Sequence, residues 1–317
     1  MGHLEVDNVT KRYGDTLAVN AVSFEAQPGR ILGVLGPNGA GKTSIIRMIT
    51  YIIGPDTGEV RYDGRPVGAW SQQRMGYLPE ERGLYKKLTV REQLEYLATL
   101  KGLDATTADR RINYWLQRFD AVDWVDKETG ELSKGMQQKI QFVATLLHEP
   151  SLLILDEPFS GLDPINAEVL REIVHELRDD ERTILFASHR MEQVEQLCDD
   201  ICLIAEGEIA LQGVLREIKQ QFGRRTVVLE FEGDDSFLDR LAARGCVQID
   251  TRSHHRAELA LLDGMTGDEV LRTALEHVDA LYRFEQVEPP LSDIFVEVVG
   301  EQAAQRLEAS RTAPLAA

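Results

Sequence analysis

The residues Gly36-Pro37-Asn38-Gly39-Ala40-Gly41-Lys42-Thr43 fit the pattern G-x-x-x-x-G-K-[ST], a spacing suited to cradling phosphate. Glycines let backbone N–H groups turn inward and approach phosphate oxygens with no Cβ in the way. A helix beginning at the lysine adds the positive end of its dipole. In such a loop Lys42 reaches the β- and γ-phosphates and the Thr43 hydroxyl ligates Mg²⁺, with Ser44 the next binding candidate. A second constellation is Leu152-Leu153-Ile154-Leu155-Asp156-Glu157, an apolar run ending in two carboxylates. Asp156 is placed to hold Mg²⁺ through water. Glu157 is placed to orient or deprotonate an attacking water, a role worth about 10²–10⁴-fold.

These residues need a parallel sheet to carry them. Leu4–Val9 and Ala21–Ala26 read as strands around a turn at Tyr13-Gly14-Asp15, and Arg30–Leu35 is a strand running into the phosphate loop. Ser44–Tyr51 carries helical spacing. From Leu84 to about Phe119 the periodicity is mainly helical, an inserted subdomain spanning about 84–135. Met136–Leu147 (helix), Leu152–Leu155 (strand), Pro164–Arg178 (helix) and Thr183–Ala187 (strand) follow. Alternating strands and helices imply an α/β core. The domain organisation expected is 1–215, a linker at 216–223, a small α+β unit at 224–300 and a tail at 301–317. The second unit reads β-α-β-β-α-β with a final helix at Leu291–Val299, the order of a ferredoxin-like split βαβ arrangement.

Composition narrows the function. The 317 residues hold 35 Lys and Arg against 53 Asp and Glu, a net charge of −18. Phosphate neutralisation needs a basic surplus, so no nucleic-acid partner is expected. Three cysteines, Cys198, Cys202 and Cys246, cannot build a disulfide framework and suit a reducing compartment. Cys198 and Cys202, four apart, are read as packing residues sharing a helix face. His254-His255 reads as a solvated turn. No run approaches the ~18 apolar residues of a membrane span, so any work at a membrane goes through a partner.

Leu132-Ser133-Lys134-Gly135-Met136-Gln137-Gln138 opens a helix shortly before the acidic strand, and it resembles the signature motif of ABC-type ATPases, here LSKGMQQ for the commoner LSGGQ. Ser160-Gly161-Leu162-Asp163 resembles the D-loop of that family, His189 its switch histidine and Tyr13 its adenine-stacking aromatic. The motifs follow in the family's order over residues 4–210, about two-thirds of the chain.

The resemblance implies a P-loop nucleotide-binding domain of ABC type with the inserted helical subdomain, using ATP and Mg²⁺. It implies that His189 contacts the γ-phosphate and fixes Glu157 and the water, and that Tyr13 stacks on adenine. Ser133 and Gly135, with Asp163 at the interface, serve in trans the nucleotide held by a second such subunit. One copy of each motif therefore implies a dimer, with a second copy of this chain, the homodimer, or with a paralogue. The family usually has glutamine after Tyr77-Leu78-Pro79; here Glu80 follows, a carboxylate able to ligate Mg²⁺. Leu84 and Tyr85 are read as lining the groove that receives a helix of the membrane subunit, with Lys86-Lys87 facing headgroups or water.

A G-protein would need an N-K-x-D segment, which is absent, and the chain between Lys42 and Ser133 is too short for the coiled coil of DNA-repair relatives. The Glu-Glu-Arg-Gly-Leu-Tyr segment, the signature and the extra domain resemble the sodium-efflux, NatA-like branch of ABC exporter ATPases. This implies an exporter ATPase, peripheral on the cytoplasmic membrane face, that powers a separate multi-span permease subunit; the alternative is a soluble ABC-type ATPase in a non-transport complex. Regulation or dimerisation is the expectation for the C-terminal unit.

Overall fold

The computed structural model describes residues 2–81, 83–222, 226–262 and 264–300. The chain divides into two compact units, Met1–Val214 and Leu215–Ala317. The first is built on a six-stranded sheet ordered Glu208–Val214, Asp200–Ala205, Ile31–Leu35, Thr183–Ser188, Leu152–Asp156, Met75–Leu78. Its five inner and far strands pair parallel, and only Glu208–Val214 runs antiparallel, as a hairpin with its neighbour. Ile31–Leu35, Leu152–Asp156 and Thr183–Ser188 are buried along their whole length, which explains their near-continuous apolar sequence.

A second, antiparallel sheet of Leu4–Tyr13, Thr16–Ala26, Thr57–Tyr62 and Arg65–Pro66 contributes Leu4, Val6, Val22 and Phe24 to a core shared with Ile45, Ile46 and Ile49 of the helix Lys42–Ile49. The helical subdomain holds two helices, Val90–Leu100 and Ala105–Arg118. Helix does not begin at Leu84, where the apolar spacing first appears. It begins after Thr89, whose hydroxyl accepts from Glu92 N while Glu92 returns a carboxylate to Thr89 N, a closed capping box.

Two further readings are corrected. Residues 216–222 are no linker: the helix Leu215–Phe222 occupies them, because Leu215 and Ile218, three apart, bury together. Residues 223–225 and the tail 301–317 lie outside the described residues. Cys198 and Cys202 share no helix face. Cys198 ends the helix Met191–Leu197 and Cys202 sits mid-strand, both buried and free, and burial pushes the Cys202 thiol up to about 12.

The second unit has a four-stranded antiparallel sheet ordered Val247–Ser253, Arg256–Leu261, Thr226–Gly233, Val278–Val287. Thr226–Gly233 and Arg256–Leu261, first and third in chain order, are central, as the split βαβ order requires. Helices Ser236–Ala243 and Gly267–Leu275 pack Phe237, Leu238, Leu241, Val270 and Ala274 onto Val227, Leu229 and Phe231. His254 and His255 form the turn of the hairpin whose strands close at Ser253 and Arg256. A further helix covers 291–300. Phe231 is fully buried with its ring 5.5 Å from Phe237. Phe231→Ala is expected to cost this unit about 3–5 kcal/mol. Chemical unfolding followed by limited proteolysis should show cleavage beyond residue 215 at lower denaturant than in the wild type.

Candidate functional site

The phosphate loop leaves the strand Ile31–Leu35 and enters the helix Lys42–Ile49. Gly36 has φ 154°, and a Cβ there would stand 2.1 Å from the Ile204 carbonyl. Gly41 has φ 106°, with its Cβ position 2.5 Å from the Ala18 carbonyl. Gly39 also has positive φ, 82°, yet nothing lies within 4 Å of its Cβ position. Gly36 and Gly41 are thus required by the fold, and Gly39 by the curl of the loop itself. Lys42 Nζ donates to the carbonyls of Gly36 and Pro37 at 2.7 and 3.1 Å. Burial lowers its pKa, opposed by Glu157, Asp156 and Glu80.

Tyr13, Asn38, Gly39, Ala40, Gly41, Lys42, Thr43, Ser44, Glu80, Asp156, Glu157 and His189 line one cleft of about 220 Å³, together with Ala18. The second, antiparallel sheet contributes Tyr13, 45% exposed at its hairpin end. Pro37 meets the site through its carbonyl, behind Lys42.

Glu157 is 7% exposed and sits at φ 49°, a left-handed conformation that a non-glycine residue adopts only when held. Three donors hold it. Oε1 accepts from the His189 backbone N–H at 2.7 Å and faces His189 Nδ1 at 2.6 Å; Oε2 accepts from Ser188 Oγ at 3.0 Å. A carboxylate can only accept, so Nδ1 carries the proton and Nε2 faces outward on a ring 47% exposed. Ser188 is fully buried, and its oxygen in turn accepts from Arg190 N at 3.1 Å. The sequence reading passed over Ser188 and Ala18. A serine just ahead of a strand-end histidine was the available signal for the first; Ala18 lines the cleft and had none.

Asp156 is buried, and desolvation, then Glu80 and Glu157, raise its pKa to about 6. No group of three or more His, Cys, Asp or Glu side chains among the described residues is close enough to hold a metal ion alone. The arrangement still suits Mg²⁺, which is commonly bound through one or two carboxylates completed by substrate phosphates and water. Thr43, Asp156 and Glu80 offer oxygen donors, and a cation would relieve the repulsion that Asp156 experiences.

Ser133, Gly135 and Asp163 lie elsewhere, lining a separate cleft of about 360 Å³ with Lys134, Met136 and Lys139. Ser133 caps the helix Lys134–Leu146, accepting from Met136 N at 3.3 Å. Asp163 caps the helix Pro164–Asp179, accepting from Asn166 N at 3.0 Å, and those hydrogen bonds hold its carboxyl below the usual range. A groove of about 650 Å³ is lined by Leu84, Leu97, Leu100, Ile52, Gln141 and His148 among others. Tyr85 is not in that lining; its ring meets Tyr96 edge-on at 5.8 Å.

Two outcomes test this geometry. Gly36→Ala forces a Cβ onto a backbone carbonyl, a strain of at least ~1–3 kcal/mol, and equilibrium dialysis should show weakened ATP binding. The folded pKa of Asp156, about 6, lies above its ordinary 3.8. The native state therefore keeps this proton longer than the unfolded chain, and stability falls as pH rises through that window. Asp156→Asn should flatten this limb in denaturant unfolding of the nucleotide-free chain.

Comparison with known proteins agrees with the site. The ABC transporter family model matches residues 19–160, and the model for the C-terminal domain of DrrA1-3-like ATP-binding proteins matches 213–299. The uncharacterised ABC transporter ATP-binding protein YhaQ of Bacillus subtilis is 44% identical over 298 residues, 94% of this chain and 98% of that protein. NatA, an ABC transporter ATP-binding protein of the same organism, is 38% identical over 63% of this chain and 83% of its own length. Nod factor export ATP-binding protein I of Burkholderia lata is 36% identical over 76% of this chain and 80% of its own. A solved ATP-binding subunit of an ABC transporter superposes with a TM-score of 0.65 at 31% identity, over 69% of this chain and 92% of that one. With its phosphate loop, its held glutamate and full-length kinship to YhaQ, the chain belongs to the ATP-binding subunits of ABC transporters.

Proposed function

We propose that the chain hydrolyses ATP, with Mg²⁺, in a head-to-tail dimer that powers export through a separate multi-span membrane subunit. The observation that carries this is the separation of two half-sites. The phosphate loop, Asp156, Glu157 and His189 line one cleft, and Ser133, Gly135 and Asp163 line another. One chain then offers a nucleotide its phosphate cradle, and a second copy offers Ser133 and a helix N-terminus to the γ-phosphate. The exporter reading is supported by the Nod factor export relative, by NatA and by the C-terminal domain match. Among the described residues no helix is long and apolar enough to cross a membrane. The reading accordingly places the chain peripherally, on the cytoplasmic face, with the groove at Leu84 and Leu97 meeting the permease. A soluble complex finds no such support.

Backbone N–H groups of the loop and the Lys42 ammonium take the phosphates, and Tyr13 stacks on adenine, where stacking is worth roughly 1–3 kcal/mol. Thr43, Asp156 and Glu80 would hold Mg²⁺, which supplies charge neutralisation at the β- and γ-oxygens. Glu157 accepts the proton of the attacking water; with Oε1 taken by His189, its remaining acceptor capacity is on Oε2. His189 Nε2 faces the γ-phosphate. Since the chemistry is chiefly positioning, the hold on Glu157 is where rate is made.

Glu157→Gln keeps the shape and removes the base. ATP hydrolysis should fall about 10²–10⁴-fold with ATP binding retained, and ATP should then drive a stable dimer on gel filtration. A pull-down of this variant from solubilised membranes with ATP and Mg²⁺ should recover one stoichiometric multi-span protein. Recovery of ribosomes or only soluble partners would overturn the transport reading and keep the ATPase.

A further inference from the structure

The helix Lys134–Leu146 carries three glutamines: Gln137 holds the carbonyls of Thr129 and Leu132, and the other two reach toward the segments bearing Glu157 and Glu80. Gln138 and Gln141 stand three residues apart, on one face, and are 1% and 6% exposed. Each sends its amide to backbone beside a site carboxylate. Gln138 Nε2 donates to the Pro158 carbonyl at 3.0 Å, one residue after Glu157. Gln141 Nε2 donates to the carbonyls of Pro79 and Glu81, at 3.4 and 3.3 Å, which flank Glu80. A carbonyl only accepts, so the amide nitrogens must face them. Both amide oxygens are then buried with no donor among the described residues. An orphaned buried acceptor burdens the fold, and an apolar side chain of similar size would avoid it. Glutamine at both positions is explained by what its N–H groups hold.

We propose that Gln138 and Gln141 are positioning residues, a two-point link from the signature helix to the segments bearing Glu157 and Glu80. Glu157 is tied upstream by its own N–H to the Ala187 carbonyl at 2.9 Å. Downstream, Pro158 has no N–H to offer, and the hydrogen bond on its carbonyl comes from Gln138. That bond resists relaxation of the left-handed backbone at Glu157, which would draw the carboxylate off Ser188 and His189. Ser133 lies five residues before Gln138, about 7.5 Å along a rigid helix. Engagement of the second subunit's nucleotide at Ser133 therefore bears directly on the cis glutamate. The inference rests on the hydrolytic reading above.

The test pairs single and double variants of the full chain. Gln138→Met preserves volume and removes the donor. It should lower kcat for ATP about 10–100-fold while leaving KM within about twofold. Because Gln138 acts through Glu157, Gln138→Met should cost nothing further in the Glu157→Gln background, whereas a general packing defect would multiply the two losses. Gln141→Met should likewise be silent in a Glu80→Ala background yet lower kcat beside Glu157→Gln, and it carries the test if Gln138→Met fails to fold. An unchanged kcat, or losses that multiply in the matched pairs, overturns the link. Failure of the hydrolytic reading itself would show earlier, as a wild-type chain that binds ATP without turning it over.

Discussion

The parallel pairing of three buried strands is the constraint on which the site depends. Leu35 stands opposite Ser188, and Asp156 opposite Ala187, so the residues that follow, Gly36, His189 and Glu157, emerge at one edge of one sheet. The phosphate loop lies more than a hundred residues before Glu157 and His189 in the chain, and the three meet because that register is fixed. Register in a sheet buried on both faces is strongly specified, since a slip would empty packed positions along each strand.

Around that edge the structure accepts local cost. Glu157 keeps a positive φ, and Asp156 sits among carboxylates that lift its pKa to about 6. Such costs persist only where the surroundings over-determine them. Here the surroundings are the Ser188 hydroxyl, the His189 backbone and ring, and the Gln138 amide. The repulsion among carboxylates is the kind that a divalent cation and a lysine relieve.

The two half-sites of one chain point to different clefts, and this shapes the biology the fold can support. A nucleotide held by the loop alone lacks the second helix N-terminus that Ser133 caps. In the function proposed above, chemistry is conditional on association, a coupling that a transporter can use as a stroke. The second unit has a separate core with its own sheet, and Phe231 and Phe237 are fully buried in it.

The sequence by itself determined the chemistry and most of the elements. Glycine spacing at residues 36–41, the acidic end of Leu152–Asp156 and the LSKGMQQ run are local patterns, and local patterns survive translation into loops and helix caps. Apolar runs located Ile31–Leu35, Leu152–Asp156 and Thr183–Ser188 because burial on both faces leaves no polar alternation to confuse them, whereas the buried strand Asp200–Ala205 went unread. Where helix began after Leu84, and whether 216–222 was helix or linker, were decided by a capping box and by the burial of Leu215 and Ile218. The hold of Ser188 on Glu157 and the reach of Gln138 to Pro158 came only from tertiary structure. Each joins residues distant in sequence through a single hydrogen bond or surface, and no spacing within the chain encodes a distance across it.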